Sequence, residues 1–121
     1  MKRGDRYDAF GLEEAEPGSR GRVLKNLRGI KTKREMDRAE AVAQYHALIG
    51  LILDFEKDHH FTVADVCEMH KTWLGSIYPW AGQYRRVNLS KSGFLFAPAD
   101  QIPRLMEEFE GGPLRKYTPC N

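Results

Sequence analysis

Cys67 and His70 stand three residues apart, a spacing that puts a thiol and an imidazole on one face of a helix. Two such groups could share a metal ion, but a zinc site needs two further ligands at a supporting spacing. His59 and His60 are the nearest other histidines and match no ligand framework. A core cysteine beside a hydrogen-bonded histidine is the plainer reading. Cys120 could be activated by a histidine, yet it lies one residue from the end of the sequence with no turn or helix start to lower its pKa. Glu107, Glu108 and Glu110 read as a solvated helix face, and Gly111-Gly112 as a helix stop rather than a phosphate loop. Arg85 and Arg86 beside Tyr84 could meet a phosphate or a base, but on a strand they point to opposite faces. On residue chemistry alone the chain holds no complete active site.

The elements that would position these groups can be read from period and punctuation. Residues 1–30 are rich in Gly, Arg and Glu and show no helical or strand period, so they read as a basic arm with a turn of helix near Val23–Leu27. Thr32 followed by Glu35 has the form of a capping box and predicts a helix over Lys33–Glu56. Two adjacent stripes run along it: Ala41, Tyr45, Leu48, Ile52, Phe55 and Ala39, Val42, His46, Ile49, Leu53. Together they predict a central, buried helix. Thr62 and Asp65 cap a second helix from Val63 to Gly75 or Ile77, with Val63, Val66, Cys67, His70, Trp73, Leu74 and Ile77 on its apolar face. Tyr78-Pro79 ends it. Ala97-Pro98-Ala99-Asp100 begins a third helix, with Ile102, Leu105, Met106 and Phe109 inward, Pro103 tolerated in its first turn, and Gly111-Gly112-Pro113 as its stop.

Between the second and third helices lies Ile77–Pro98, which carries the two runs Tyr84–Leu89 and Phe94–Phe96 around Ser90-Lys91-Ser92-Gly93. This reads as a β-hairpin. An isolated two-stranded ribbon is marginal in water, so it must dock on the helices or stay partly open for a partner.

Length and charge bound the rest. The 121 residues suit one domain, divided here into the arm 1–30 and a body 31–121, and 41% hydrophobic with 30% charged residues suits a soluble globular protein. A net charge of +2 is too small to argue for nucleic acid. The acid-free stretch Ser19–Arg34, with Arg20, Arg22, Lys25, Arg28, Lys31, Lys33 and Arg34, reads as a solvated arm before it reads as a phosphate patch. Two distant cysteines, no signal-like apolar run behind the basic start, and no membrane-length stretch fit a cytoplasmic protein with no membrane partner.

Several runs, taken together, resemble the N-terminal half of the Fic/Doc family. They are Glu68–Gly82 (EMHKTWLGSIYPWAG), Tyr84-Arg85, Val87–Phe94 (VNLSKSGF) and Phe96-Ala97-Pro98. Asn26-Leu27-Arg28-Gly29-Ile30, with Ala39-Glu40 behind it, is similar to the family's entry into the domain. The resemblance implies a mainly α fold with one β-hairpin, the flap, overhanging an active site that transfers AMP from ATP to a hydroxyl side chain of a target protein. It implies flap positions at Lys91, Ser92, Gly93 and Phe94, with Leu89 and Leu95 lending pockets or packing. The target would add as a strand to the hairpin edge, where main-chain bonds give affinity with little sequence demand.

The family's signature, H-P-F-x-[DE]-G-N-G-R-x-x-R, is absent, and none of the four histidines is followed by Pro-Phe. That signature supplies the general base, the Mg²⁺ carboxylate and the phosphate-binding loop. The resemblance thus implies ATP and Mg²⁺ for a complete enzyme, no catalytic or metal-binding residue in this chain, and an incomplete, inactive Fic-like domain. The inhibitory motif [ST]-x-x-x-E-[GN] is missing too, since Met36 stands four residues after Thr32. Restraint would then come from a separate antitoxin-like partner, as in a toxin–antitoxin pair, or from outside this sequence. The rival reading is a non-enzymatic module that binds a peptide along the hairpin edge. An apolar central helix without enough partners also predicts self-association.

Overall fold

Thr32 starts the first helix as its sequence demands. Its hydroxyl accepts the Glu35 N–H at 3.3 Å, and α1 runs Lys33–Asp54. Thr62 opens α2, Val63–Leu74, with both halves of a capping box: Thr62 Oγ1 accepts the Asp65 N–H, and the Asp65 carboxylate accepts the Thr62 N–H. The computed structural model describes residues 8–9, 15–86, 88–91 and 93–119. A short strand β1 (Asp8–Ala9) precedes α1, and after α2 come β2 (Leu89–Lys91), β3 (Phe94–Leu95), a 3₁₀ turn at Ala99–Gln101 and α3 (Ile102–Phe109). Pro103 sits in the first turn of α3, where its missing N–H costs nothing. The chain is mainly helical, as expected.

Gly111-Gly112-Pro113 does not stop the helix. The backbone widens into a π-helical turn over Glu110–Leu114, and a short α4 follows at Arg115–Tyr117. A wider turn accommodates a proline that an α-helical turn would clash with.

The core gathers where α1, α2 and the segment after α2 meet. Val23, Ile30, Met36, Leu74, Ile77, Tyr78 and Ala81 are buried together, with Ala39, Ala43, Trp73 and Trp80 packed against them. Two of these residues come from the region read as an arm. Val23 is held by Ser19, whose hydroxyl accepts its N–H, and Asn26 fastens the following turn. The Asn26 side chain donates to the Leu24 and Ile30 carbonyls and accepts the N–H groups of Arg28 and Ile30. Leu27 N–H then donates to the Ile77 carbonyl at 2.7 Å, joining this loop to the end of α2. The expected helical turn at Val23–Leu27 is therefore a side-chain-organised loop. Its cations Arg20, Arg22, Lys25, Arg28 and Lys31 are exposed.

α1 departs most from expectation. Of the two predicted stripes only Ala39 packs against the core, and only Met36 and Ala47 are buried along the whole helix. The inward side is the small-residue side, where Ala39 and Ala43 let α2 come close enough for Trp73 Nε1 to donate to the Glu40 carbonyl at 2.8 Å. Among the described residues, no helix is long and apolar enough to cross a membrane.

Candidate functional site

The hairpin hangs from a rigid corner. Ile77 and Tyr78 have essentially no exposed surface, and the Tyr78 hydroxyl donates to Glu40 Oε2 at 2.7 Å. Trp80 stacks on the Tyr78 ring with centroids 4.4 Å apart, and His70 lies against its other neighbours, 6.0 Å from Trp80 and 6.4 Å from Trp73. The corner closes at Gly82, whose N–H donates to His70 Nδ1 at 2.8 Å. Its φ of +83° and the 2.8 Å from an added Cβ to the Lys71 Cβ leave room for glycine alone. Burial lowers the His70 pKa, favouring the neutral ring that can accept this bond.

The same bond engages His70 Nδ1 with backbone. Among the described residues no three His, Cys, Asp or Glu side chains cluster as a metal site requires. His59 serves elsewhere, 2.8 Å from Asp65 at the start of α2 and packed between Phe55 and Phe61. That contact, and then the Thr62 N–H, hold the Asp65 carboxyl below its usual range. Glu110 is exposed as expected, but it is more than a solvating carboxylate: its Oε2 accepts the Val63 N–H at 2.6 Å, tying the end of α3 to the start of α2.

Beyond the corner the hairpin is pinned at its base and bare at its tip. The Arg85 guanidinium donates to the Ala97 carbonyl, and Asn88 Oδ1 accepts the Ala99 N–H at 2.8 Å. Tyr84–Arg86 is not strand, contrary to the predicted first run, because Arg85 is turned to bridge the two arms. The alternation argument for Arg85 and Arg86 therefore does not apply. These residues border an open cavity of about 460 Å³ with Tyr84, Asp100 and Pro103, a lining of mixed charge.

Of the four predicted flap positions, Lys91 and Phe94 face each other in register, and Ser90 pairs with Leu95. Gly93 sits in the turn between them at φ +82°, with nothing within 4 Å of an added Cβ. Ser92, like Val87, lies outside the described residues. Phe94 and Leu95 are 66% and 65% exposed, the Phe94 ring resting edge-on against Phe96 at 5.5 Å.

The expectation of an isolated two-stranded ribbon is corrected. A third strand, β1 at Asp8–Ala9, pairs antiparallel with β2, Asp8 opposite Ser90 and Ala9 opposite Leu89. The sheet order is β1-β2-β3, so one hairpin edge is taken by the chain's own N-terminal segment and β3 is left as the outer strand. No local period marks a two-residue strand, so nothing in the sequence could have signalled it.

Comparison with known proteins adds three findings. Residues 60–118 match the family model described as the Fic/DOC family. Over 85 residues the chain is 32% identical to the protein adenylyltransferase VbhT of Bartonella schoenbuchensis, an alignment covering 66% of this chain and 16% of that protein. The N-terminal Fic domain of a VirB-translocated effector protein from Bartonella sp. AR 15-3 superposes with a TM-score of 0.60 at 21% identity, covering 73% of this chain and 45% of that one. The FIC domain of the effector Bep5 from Bartonella clarridgeiae gives 0.58 at 19% identity, covering 82% and 49%. Both are likenesses of fold, and this chain spans less than half of either structure. The stretch that builds α2, the hairpin and α3 is the part of the chain that the Fic/DOC family model matches.

Proposed function

We propose that this chain is the target-holding part of a Fic-type protein adenylyltransferase, which transfers AMP from ATP to a hydroxyl side chain of another protein. The observation that carries the reading is the 32% identity to a protein adenylyltransferase over 85 residues. The chain's own contribution is positioning. A target segment in extended conformation lies against the outer edge of β3, and main-chain hydrogen bonds set its register while Phe94 and Leu95 grip alternate side chains. Arg85 and Asn88 keep the base of the hairpin still, so a bound strand is presented at a fixed height.

ATP and Mg²⁺ are expected of a complete enzyme, but the residues described here do not fit them. No carboxylate cluster is present among them, and the sequence has no phosphate-binding loop. No step is routed through either group. In this reading the isolated chain transfers nothing, and the native protein that contains or binds it does.

The test is mass spectrometry for AMP on protein hydroxyls after incubation with ATP and Mg²⁺. The isolated chain should leave proteins unmodified, and the native assembly should modify a target. Leu95→Pro should reduce target modification by breaking the edge. A native assembly that never transfers AMP, but still binds an extended peptide in a Leu95-dependent way, would establish the non-enzymatic module instead. The exposed Phe94 and Leu95 are what keep that second reading in play.

A further inference from the structure

The loop before α1 displays its charge from a fixed frame. Glu16 N–H donates to the Val23 carbonyl at 2.8 Å and Ala15 bridges Leu24, so residues 17–22 form a closed tip. Ser19 is turned inward, 3% exposed, its hydroxyl donating to the Glu16 carbonyl and accepting the Val23 N–H. Asn26 fixes the next turn through its four backbone bonds, and Val23 and Ile30 are buried. With those residues holding the frame, Arg20, Arg22, Lys25 and Arg28 between them are left exposed.

The charge is also segregated. Residues 19–34 hold seven Lys and Arg and no acid, while the other 105 residues carry 12 Lys and Arg against 17 Asp and Glu, a net of −5. Of the described acids that flank the stretch in sequence, Glu16 gives its Oε1 to the Asn26 N–H and Asp37 is paired with Lys33, which leaves Glu35. Arg20, Arg22, Lys25 and Arg34 have no ion-pair partner among the described residues. Lys31 joins them at the tip, since a Cβ added at Gly18 would lie 3.1 Å from its Cδ and Cε. Arg20 has a φ of +58°, a conformation that residues with a side chain avoid and that its neighbour Gly21, at +74°, adopts freely. The loop therefore keeps an arginine where the backbone would favour glycine, a cost that reach can explain.

Composition selects the partner. A protein partner needs a central aromatic or apolar anchor, but no aromatic residue occurs between Phe10 and Tyr45, and Leu27 is the one large apolar side chain exposed on the described part of the loop. The same lack argues against single strands, whose bases stack on aromatic rings. Duplex phosphates ask only for charge, and the arginine fork fits them. The polar side chains that could read a 2′-hydroxyl are already used, Ser19 and Asn26 on backbone and Thr32 on the start of α1. We propose that this loop is a sequence-indifferent docking surface for the backbone of duplex DNA, meeting about four phosphates through Arg20, Arg22, Lys25 and Lys31. It stands apart from AMP transfer, and either can fail without the other.

The native protein is titrated into fluorescein-labelled duplex DNA of random sequence and read by anisotropy across a salt series. With four contacts, affinity should fall about 150-fold from about 50 to 200 mM salt. Arg20→Gln with Arg22→Gln and Lys25→Gln should weaken low-salt binding at least about tenfold and flatten the salt slope by about 3. Arg115→Gln with Lys116→Gln, on the exposed α4, should change neither. Arg20→Gly should flatten the slope by about 1 while keeping or raising the thermal midpoint, because it relieves the left-handed backbone. A lowered midpoint would assign Arg20 to the loop's own packing and overturn the proposal. No binding at about 50 mM salt, or equal losses from the α4 pair, would do the same. Tighter binding of single-stranded DNA, duplex RNA or polyglutamate than of duplex DNA would also overturn it.

Discussion

Gly82 and Gly93 have nearly the same backbone conformation, φ +83° and +82°, and opposite surroundings. Gly82 closes a corner where Ile77, Tyr78 and Ala81 are buried and backbone meets the flank of α2. Gly93, eleven residues on, turns a hairpin whose neighbours stand in the open. The same dihedral serves packing in one place and reach in the other. At the exposed hairpin tip the sequence spends few contacts; where the hairpin is held, it spends many.

Substitutions can break this contrast, and the largest effect belongs to the corner. Ile77→Ala should lower the unfolding free energy by about 2–5 kcal/mol, the range for truncating a fully buried aliphatic, whereas Leu95→Ala should stay within about 0.5 kcal/mol. Urea titration of both proteins measures the pair. Equal effects would mean the hairpin is as firmly packed as the corner.

The glycines themselves come next. Gly82→Ala should cost about 2–4 kcal/mol, since the added methyl meets the Lys71 Cβ and the Cys67 carbonyl besides bearing the left-handed conformation. Gly93→Ala bears the conformation alone and should cost about 1 kcal/mol.

A smaller effect depends on pH. The His70 pKa in the folded chain is depressed below its ordinary 6.5, so the unfolded chain binds that proton first. Stability should therefore fall as pH drops through 6.5 toward the folded value, and His70→Gln, which can still accept the Gly82 N–H, should flatten that limb. Asp65 acts lower on the scale. Its stabilisation is full above its ordinary 3.8 and is lost as pH falls through its depressed folded value. Urea midpoints measured against pH separate the two.

The smallest change concerns the hairpin edge. Deleting residues 1–14 removes β1, and amide exchange at residues 89–91 should quicken while residues 77–82 keep their protection. Unchanged exchange at 89–91 would mean that β1 contributes no protection to this edge.

What the sequence made legible was local. Thr32 and Thr62 mark helix starts through bonds made within one turn, and both starts lie where those residues predict. The hairpin was readable from Gly93, although Ser90 and Lys91, read as part of its turn, belong to β2. The orientation of α1 was not, because two apolar stripes give a period without a direction, and the alanines that admit α2 look unremarkable beside Ile52 and Leu53. Asn26 organises its loop through four bonds to backbone that no period records. The turn through Pro113 escaped notice because glycine and proline signal a stop, and a π-helical turn is rare enough to be ignored. The expected flap positions rest on the family resemblance alone, since residue chemistry gives Lys91 or Phe94 no special standing.

The pairing of Asp8 with Ser90 has a consequence for how the chain is made. At synthesis rates of roughly 5–20 residues per second, β1 leaves the ribosome roughly 4–16 s before its partner strand exists. The helices between them rest on short-range contacts and can form in that interval, while the sheet must await its late member. The sheet thus closes only after α1 and α2 have been made.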